Sequence, residues 1–283
     1  MKLALGMMAI NQPEVTRDCL ESFRTKADNW HEIELKIVDN GSVKPVTECG
    51  FLGIDEPHVI RNEQNVGVPA AMNQIYHQTT ADLIVVVHND VIMHEQGWDT
   101  KLIRILSELP QCGVAGFWGA KGLGTSDLYI RPYQMSQFIR IENVASCPHM
   151  SPGHGQRPVN GELERVTMMD GFSLIFNRKF LDQNNGFDLN LPPMHMYDAD
   201  ICLDSLDWGF ENYVIAMDAE HLSGYTDCKE DWTKNTPGWE GVDRSEVHRL
   251  AHYPYFYNKW SPQGAEEREK QGRLGITLPQ MVR

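Results

Sequence analysis

Two stretches of this chain end a run of β-branched residues on an acid. Ile37-Val38 runs into Asp39-Asn40-Gly41-Ser42, and Val85-Val86-Val87 runs into His88-Asn89-Asp90. In an open parallel sheet, ligands bind outside the carboxyl ends of the strands. Two acids at two strand exits can therefore serve two parts of one ligand. Asp90 is a residue type that holds a hard divalent cation, for which Mg²⁺ or Mn²⁺ takes one or two protein ligands plus substrate phosphate oxygens. A single Asp there equally caps the turn that follows. Asp198 and Asp200 open a helix after Met196-Tyr197, where the helix dipole favours negative charge and capping alone accounts for the spacing. Asn65-Val66-Gly67, followed by small residues, suits a helix N-terminus packed against neighbouring backbone. It lacks the GxxxxGK[ST] pattern of a phosphate-gripping loop. No GxGxxG follows the first strand, which weighs against a dinucleotide enzyme. His149 and His154 sit five residues apart in an irregular loop, with no third ligand nearby to complete a metal site.

The elements that must place these residues alternate. Lys2 to Ile10 is expected as a strand, and Pro13 to Lys26 as a helix with proline in its first turn. Ile33 to Val38 and His58 to Arg61 read as strands, with a loop region from Val43 to Ile54 between them. Val68 to Gln78 reads as a helix, Asp82 to His88 as a strand, Glu95 to Leu109 as a helix stopped by Pro110, and Gly113 to Trp118 as a strand. Strands separated by amphipathic helices argue an α/β fold with a parallel sheet covered on both faces. The unalternating run Leu83 to Val87 suits a central strand.

From Gly119 to Glu162 the chain turns rich in Gly, Pro, Ser and His, with strand-like pieces at Asp127 to Ile130 and Gln137 to Ile141. Regular signals return with a strand at Glu164 to Met169, helices at Asn177 to Asp182 and Asp200 to Trp208, and a strand at Asn212 to Met217. The tail from Cys228 is aromatic but aperiodic. Without repeats or a flexible linker, one mixed domain is expected over 1–227, with halves at about 1–118 and 119–227. Residues 228–283 are expected as an extension packed on it.

Apolar content of 41% and charged content of 23% suit a globular protein with a sizeable core. A formal charge of −14 disfavours non-specific binding to nucleic acid or anionic lipid. The opening residues, with one lysine and no small-residue cleavage site, are expected to be the first strand rather than a leader. No apolar run approaches the roughly 20 residues of a membrane span. Six scattered cysteines read as reduced thiols, and with them a cytoplasmic setting is expected.

In this order the motifs resemble the family 2 glycosyltransferases, nucleotide-sugar-dependent enzymes of the GT-A fold, from Lys2 to about Gly224. Val38 to Ser42 resembles that family's strand-end Asp motif. Arg61, Asn62, Asn65, Gly67, Ala71 and Asn73 match its Arg-Asn-x-x-Asn-x-Gly-x-x-x-Ala-x-Asn stretch. His88-Asn89-Asp90 stands where the family has its Asp-x-Asp-type metal motif. Met169 to Asp188 is similar to its acceptor-side stretch ending Gly-Phe-Asp, and Tyr197 to Phe210 to its Glu-Asp-x-Asp helix. The resemblance implies a GT-A, mostly parallel sheet flanked by helices, with an irregular acceptor-side region and the aromatic tail.

It also implies roles. Asp39 would accept from the imide N–H of a nucleobase, most naturally uracil, and Asp90 would hold Mn²⁺ or Mg²⁺ against the donor diphosphate. His221, after Val214 to Met217, would be a second metal ligand. Asn11, Asn65, Asn89 and Gly171 would line the nucleotide-sugar site, with Asn89 in reach of ribose. Asp198 would be the general base for an acceptor hydroxyl, giving inversion. The acceptor (glycan, small molecule, protein or modified nucleic-acid base) is left open. Four positions depart from the family: His88 and Asn89 replace the more usual Asp or Asn and Asp of the metal motif, so that it lacks its first acid, Tyr197 replaces Glu, and Asp204 stands near the usual Arg. The weakened metal motif keeps a catalytically silent sugar-nucleotide or glycan-binding protein as the alternative. A nucleotidyltransferase would need a basic, Gly-rich loop after the first strand, which Ala9 to Pro13 does not offer. Trp232 and Trp239 are the aromatic residues to test first for sugar stacking.

Overall fold

The computed structural model describes residues 1–49, 58–125, 138–147, 156–222, 236–237 and 252–279. His149, His154, Trp232, Trp239, Cys228 and the piece Asp127 to Ile130 lie outside them.

The first half follows the alternation. β1 (Leu3–Ala9), α1 (Pro13–Lys26), β2 (Glu34–Asn40), β3 (Val59–Asn62), α2 (Val68–His77), β4 (Leu83–His88), β5 (Val91–Met93), α3 (Trp98–Ser107) and β6 (Cys112–Gly116) come in that order. Then come β7 (Trp118–Thr125), β8 (Phe138–Ala145), β9 (Arg157–Pro158), β10 (Leu163–Val166), β11 (Met168–Met169), β12 (Ser173–Asn177) and α4 (Arg178–Asn184). α5 (Tyr197–Asp207), β13 (Glu211–Ile215), β14 (Ala219–His221), α6 (His252–Lys259) and α7 (Pro262–Glu269) complete the order.

Eight strands form the central sheet in the order β10-β13-β6-β12-β4-β1-β2-β3. β1, β2, β3 and β4 run parallel, as do β13 and β6. β12 lies antiparallel between β4 and β6, and β10 antiparallel at one edge. The sheet is thus mixed and largely parallel. β4 is buried along Leu83–Val87 because β1 and β12 flank it and apolar layers cover both faces. One layer packs α1 and α3 through Phe23, Trp98 and Leu102; the other packs α2, α4 and α5 through Ile75, Phe180 and Ile201.

Three differences from the sequence expectation bear on the site. Asp39 and Asn40 are the last residues of β2, not a turn beyond it. The Gly-rich region after Trp118 is not wholly irregular: β7 pairs with β8 in a four-stranded sheet of order β11-β7-β8-β9. Gly119, Gly122 and Gly124 lie within β7, and the first lets its backbone approach β11 closely, since a Cβ there would lie 2.4 Å from the Met168 carbonyl. The tail is not wholly aperiodic either. Two short helices, α6 and α7, form there; Ser261 caps α7 by accepting from Gly264 N–H, with Pro262 in the first turn. Neither is long enough to show a convincing apolar period, and both are fixed by tertiary contacts.

Those contacts use one face of α5. Asp200, Asp204 and Asp207 recur at helical spacing and are buried. Lys259 Nζ donates to Asp200 at 2.6 Å, to Asp204 at 3.0 Å and to Asp188 at 3.2 Å. Arg268 Nε donates to Asp207 at 2.7 Å, and Arg273 bridges Asp204 and Asp207. Trp260 Nε1 donates to Asp200 at 2.8 Å, with Arg268 4.2 Å above its ring. Burial alone would lower the Lys259 pKa; the carboxylates outweigh it and raise it. At position 204, near which the resemblance implies an Arg, this chain carries an acid and draws cations from its tail.

Candidate active site

Register brings the two acid-bearing exits to either side of β1. Ala9 pairs with Asp39 on β2, and Met8 with His88 on β4. β12 starts beside the end of β4, with Ser173 opposite Val87 and His88 N–H donating to Phe172 O at 2.9 Å. This sets Asp170 and Gly171 next to the His88-Asn89-Asp90 turn. β14 pairs antiparallel with β5, His221 opposite Val91, and Leu222 N–H donates to Asp90 O. His221 is therefore delivered by a strand of its own to the place where β4 ends.

His88, Asp90 and His221 each offer a ligand atom, all within 4.8 Å of one another. His221 Nε2 lies 3.3 Å from Asp90 Oδ1, and the His221 ring stacks on Phe172 at 4.3 Å. Asp90 is 5% exposed. Burial would raise its pKa, but the hydrogen bond with His221, with the neighbouring imidazoles, outweighs it and lowers it. Burial lowers that of His88; ligation needs a neutral imidazole. A buried carboxylate with only this imidazole contact on one oxygen, beside a second imidazole, fits a divalent cation. One oxygen and two nitrogens favour Mn²⁺ over Mg²⁺, which prefers oxygen ligands alone. His88 is the residue that sequence reasoning passed over, as a substitute weakening the motif. Its signal was its place two residues before Asp90, at the end of β4 where the chain turns.

Asp198 is half-buried at the start of α5, with Oδ1 accepting from Ala199 N–H at 2.8 Å. Burial first, and then the charge of Asp170, push its carboxyl up to about 6. Asp170 itself pairs with Arg140 at 3.4 Å, whose guanidinium lies 5.2 Å over Trp118. A carboxylate of that basicity can take a proton from a hydroxyl near neutral pH. Asp170 too was not singled out from the sequence; an acid preceding a glycine at a strand start is too common a pattern. Asp200, two residues on, points the other way, to Lys259 and Trp260.

The other expected site residues are held in the framework. Asp39 is 0% exposed; it accepts from Ser42 N–H, from Val46 N–H and from Arg61 Nη1 at 2.7 Å. Asn65 Oδ1 accepts from Asn40 Nδ2 and Gly67 N–H, and Asn62 joins Asn40 to Gln74. Gly67, at φ +84, leaves room for Pro193, whose carbonyl accepts from Val68 N–H. Asn11, also in the left-handed region at φ 48, accepts at Oδ1 from Val43 N–H, and Asn89 donates to Thr16 on α1. Gly171 faces the Tyr197 hydroxyl. These residues surround the strand exits, but the short cluster itself is made by His88, Asp90 and His221.

Residues 5–183 match the family model described as Glycosyl transferase family 2. The chain belongs to that family. No curated protein matches this chain. Among solved structures it is similar to GalNAc-T7 with UDP, GalNAc and Mn²⁺, with a TM-score of 0.63 at 12% identity over 100% of this chain and 52% of that one. It is also similar to S. aureus TarS 1-349 in complex with UDP-GlcNAc, with a TM-score of 0.51 at 15% identity over 80% of this chain and 62% of that one. The chain thus spans little more than half the length of these structures. At such identities the likeness establishes the fold, a GT-A sheet. Among the described residues no helix is long and apolar enough to cross a membrane.

Proposed function

We propose that this chain transfers a sugar from a nucleoside-diphosphate sugar, with UDP as the leaving group, to an acceptor hydroxyl with inversion. The supporting observation is the pairing of a cation-fit cluster, His88, Asp90 and His221, with a half-buried, basic Asp198 at the mouth of one sheet. The Mn²⁺ named with GalNAc-T7 and the UDP named with both structures agree with this donor class.

His88, Asp90 and His221 would hold the ion, which when bound offsets charge building on the departing diphosphate. Asp198 takes the acceptor hydroxyl proton as that oxygen attacks the anomeric carbon. One C–O bond forms on one face while the bond to the diphosphate breaks on the other, so configuration inverts. Asp170, fixed by Arg140, keeps Asp198 basic through like-charge repulsion. Asp39 addresses the nucleobase. Ser42 and Val46 N–H and the Arg61 guanidinium engage its oxygens, and Oδ1 retains one lone pair for the uracil imide. Asn11, Asn65 and Asn89 hold the loops around the strand exits, and Gly171, without a side chain, leaves room there for the Tyr197 hydroxyl.

A donor panel tests this directly. With Mn²⁺ present, release of UDP from a UDP-sugar, absent with Asp90→Ala, is expected. Binding of UDP-sugars without any turnover, with or without acceptors, would favour the silent binding protein.

A further inference from the structure

Two positions where this chain departs from its family touch each other. His88 stands where the resemblance implies the Asp or Asn that opens the metal motif, and Tyr197 where it implies the Glu before the base. Although 109 residues apart in sequence, His88 Nε2 and Tyr197 Oη lie 3.2 Å from one another. Tyr197 is 6% exposed and held from several sides. It opens α5 behind Met196, a non-glycine residue in the left-handed region at φ 59, and its N–H donates to His195 O at 2.8 Å. Its hydroxyl fills the space left by Gly171, where a Cβ would lie 2.1 Å from Oη.

An imidazole that ligates a metal through one nitrogen almost always donates its other N–H to an acceptor behind it, which fixes tautomer and ring orientation. We propose that Tyr197 is a positioning residue for the cation site. Its hydroxyl accepts from His88 Nε2–H and so keeps the Nδ1 lone pair available to the ion shared with Asp90 and His221. A carboxylate ligand needs no such acceptor, and an imidazole does. His88, the Tyr197 hydroxyl and the space left by Gly171 thus form one contact set. It also ties a metal ligand to the helix that carries Asp198, so that the donor end and the base move as one unit.

This inference rests on the cation site proposed above, and the experiment separates the two. Mn²⁺ binding is measured by calorimetry on the full chain without donor, for wild type, Asp90→Ala, Tyr197→Phe, His88→Asp and the double variant His88→Asp/Tyr197→Phe. Thermal midpoints are taken in chelator. Tyr197→Phe keeps the ring, so an unchanged midpoint is expected together with Mn²⁺ affinity about 10–100-fold weaker. In the His88→Asp background, where no N–H needs an acceptor, the tyrosine change is expected to cost nothing. Wild-type affinity in Tyr197→Phe with Asp90→Ala impaired would overturn the tyrosine's role and leave the metal site standing. An equal loss in both backgrounds would overturn it as well, since Tyr197 would then not act through His88. Equal Mn²⁺ binding by wild type and Asp90→Ala, or none by either, would remove the site and this inference with it.

Discussion

Asp198 shows function and stability pulling on one side chain. Its carboxyl is pushed from 3.8 to about 6, by burial first and by Asp170 second. The folded chain therefore binds that proton more tightly than the unfolded chain does. The stability this contributes is present below about pH 4 and lost as pH rises through about 6. At neutral pH an ionised Asp198 costs folding about 1–3 kcal/mol. Asp198→Asn keeps the acceptor for Ala199 N–H and removes the cost. Urea unfolding should show the variant more stable than wild type at pH 7.5, with the gain gone near pH 4. Its kcat should fall by about 10²–10⁴-fold, with donor affinity unchanged. In wild type the acid limb of kcat/KM should turn near pH 6. A variant that transfers at the wild-type rate would remove Asp198 as the base.

At the scale of elements, α5 divides its labour by face. Asp198 looks to the site, while Asp200, Asp204 and Asp207 look to the tail and are answered by Lys259, Arg268 and Arg273. Removing one partner of a buried ion network leaves the other charges without compensation. Lys259→Met should therefore destabilise by about 3–5 kcal/mol at pH 7, read as a lower urea midpoint. Its sign with pH is set by the carboxylates. Burial would raise the pKa values of Asp188 and Asp204, but Lys259 and their hydrogen-bond partners hold them low. In wild type the share from Asp188 and Asp204 is present above about pH 4 and lost as pH falls through the depressed values, while Asp200, pushed up by burial to about 7, contributes in the opposite sense. Without Lys259 these acids protonate more readily, so the deficit should shrink between pH 7 and pH 4. A deficit that grows on acidification would mean the network is not held this way.

Over the whole molecule, the candidate site is assembled from distant parts of the chain. His88 and Asp90 come from the first half, and Asp198 and His221 from the second. β12, entering antiparallel between β4 and β6, locks the halves together through Phe172 and Ser173. A ligand held by both halves should staple the molecule. Mn²⁺ with UDP, each at 100 times its Kd, should each add about 2.7 kcal/mol where binding is confined to the folded state. The thermal midpoint should rise accordingly, and chelator should reverse the Mn²⁺ share. No shift with Mn²⁺ at millimolar concentration would count against a site drawn from both halves.

Sequence by itself determined the α/β alternation, because local periodicity and turn chemistry are written in neighbouring residues: α1 runs from Pro13 to Lys26 as expected, and β4 is the buried central strand. Motif order was equally legible and led to the family. It also drew attention to Asp90, Asp198 and His221. Only the tertiary structure decided what meets what. The antiparallel place of β12, the strand that carries His221 and the tail helices on α5 depend on pairings between residues far apart in the chain, which no local pattern encodes. The same holds for His88. Alone it was a missing acid; 3.2 Å from the Tyr197 hydroxyl and clustered with Asp90 and His221, it becomes a candidate ligand with its own support. A substitution shows a gap, and only the fold brings its compensating partner beside it.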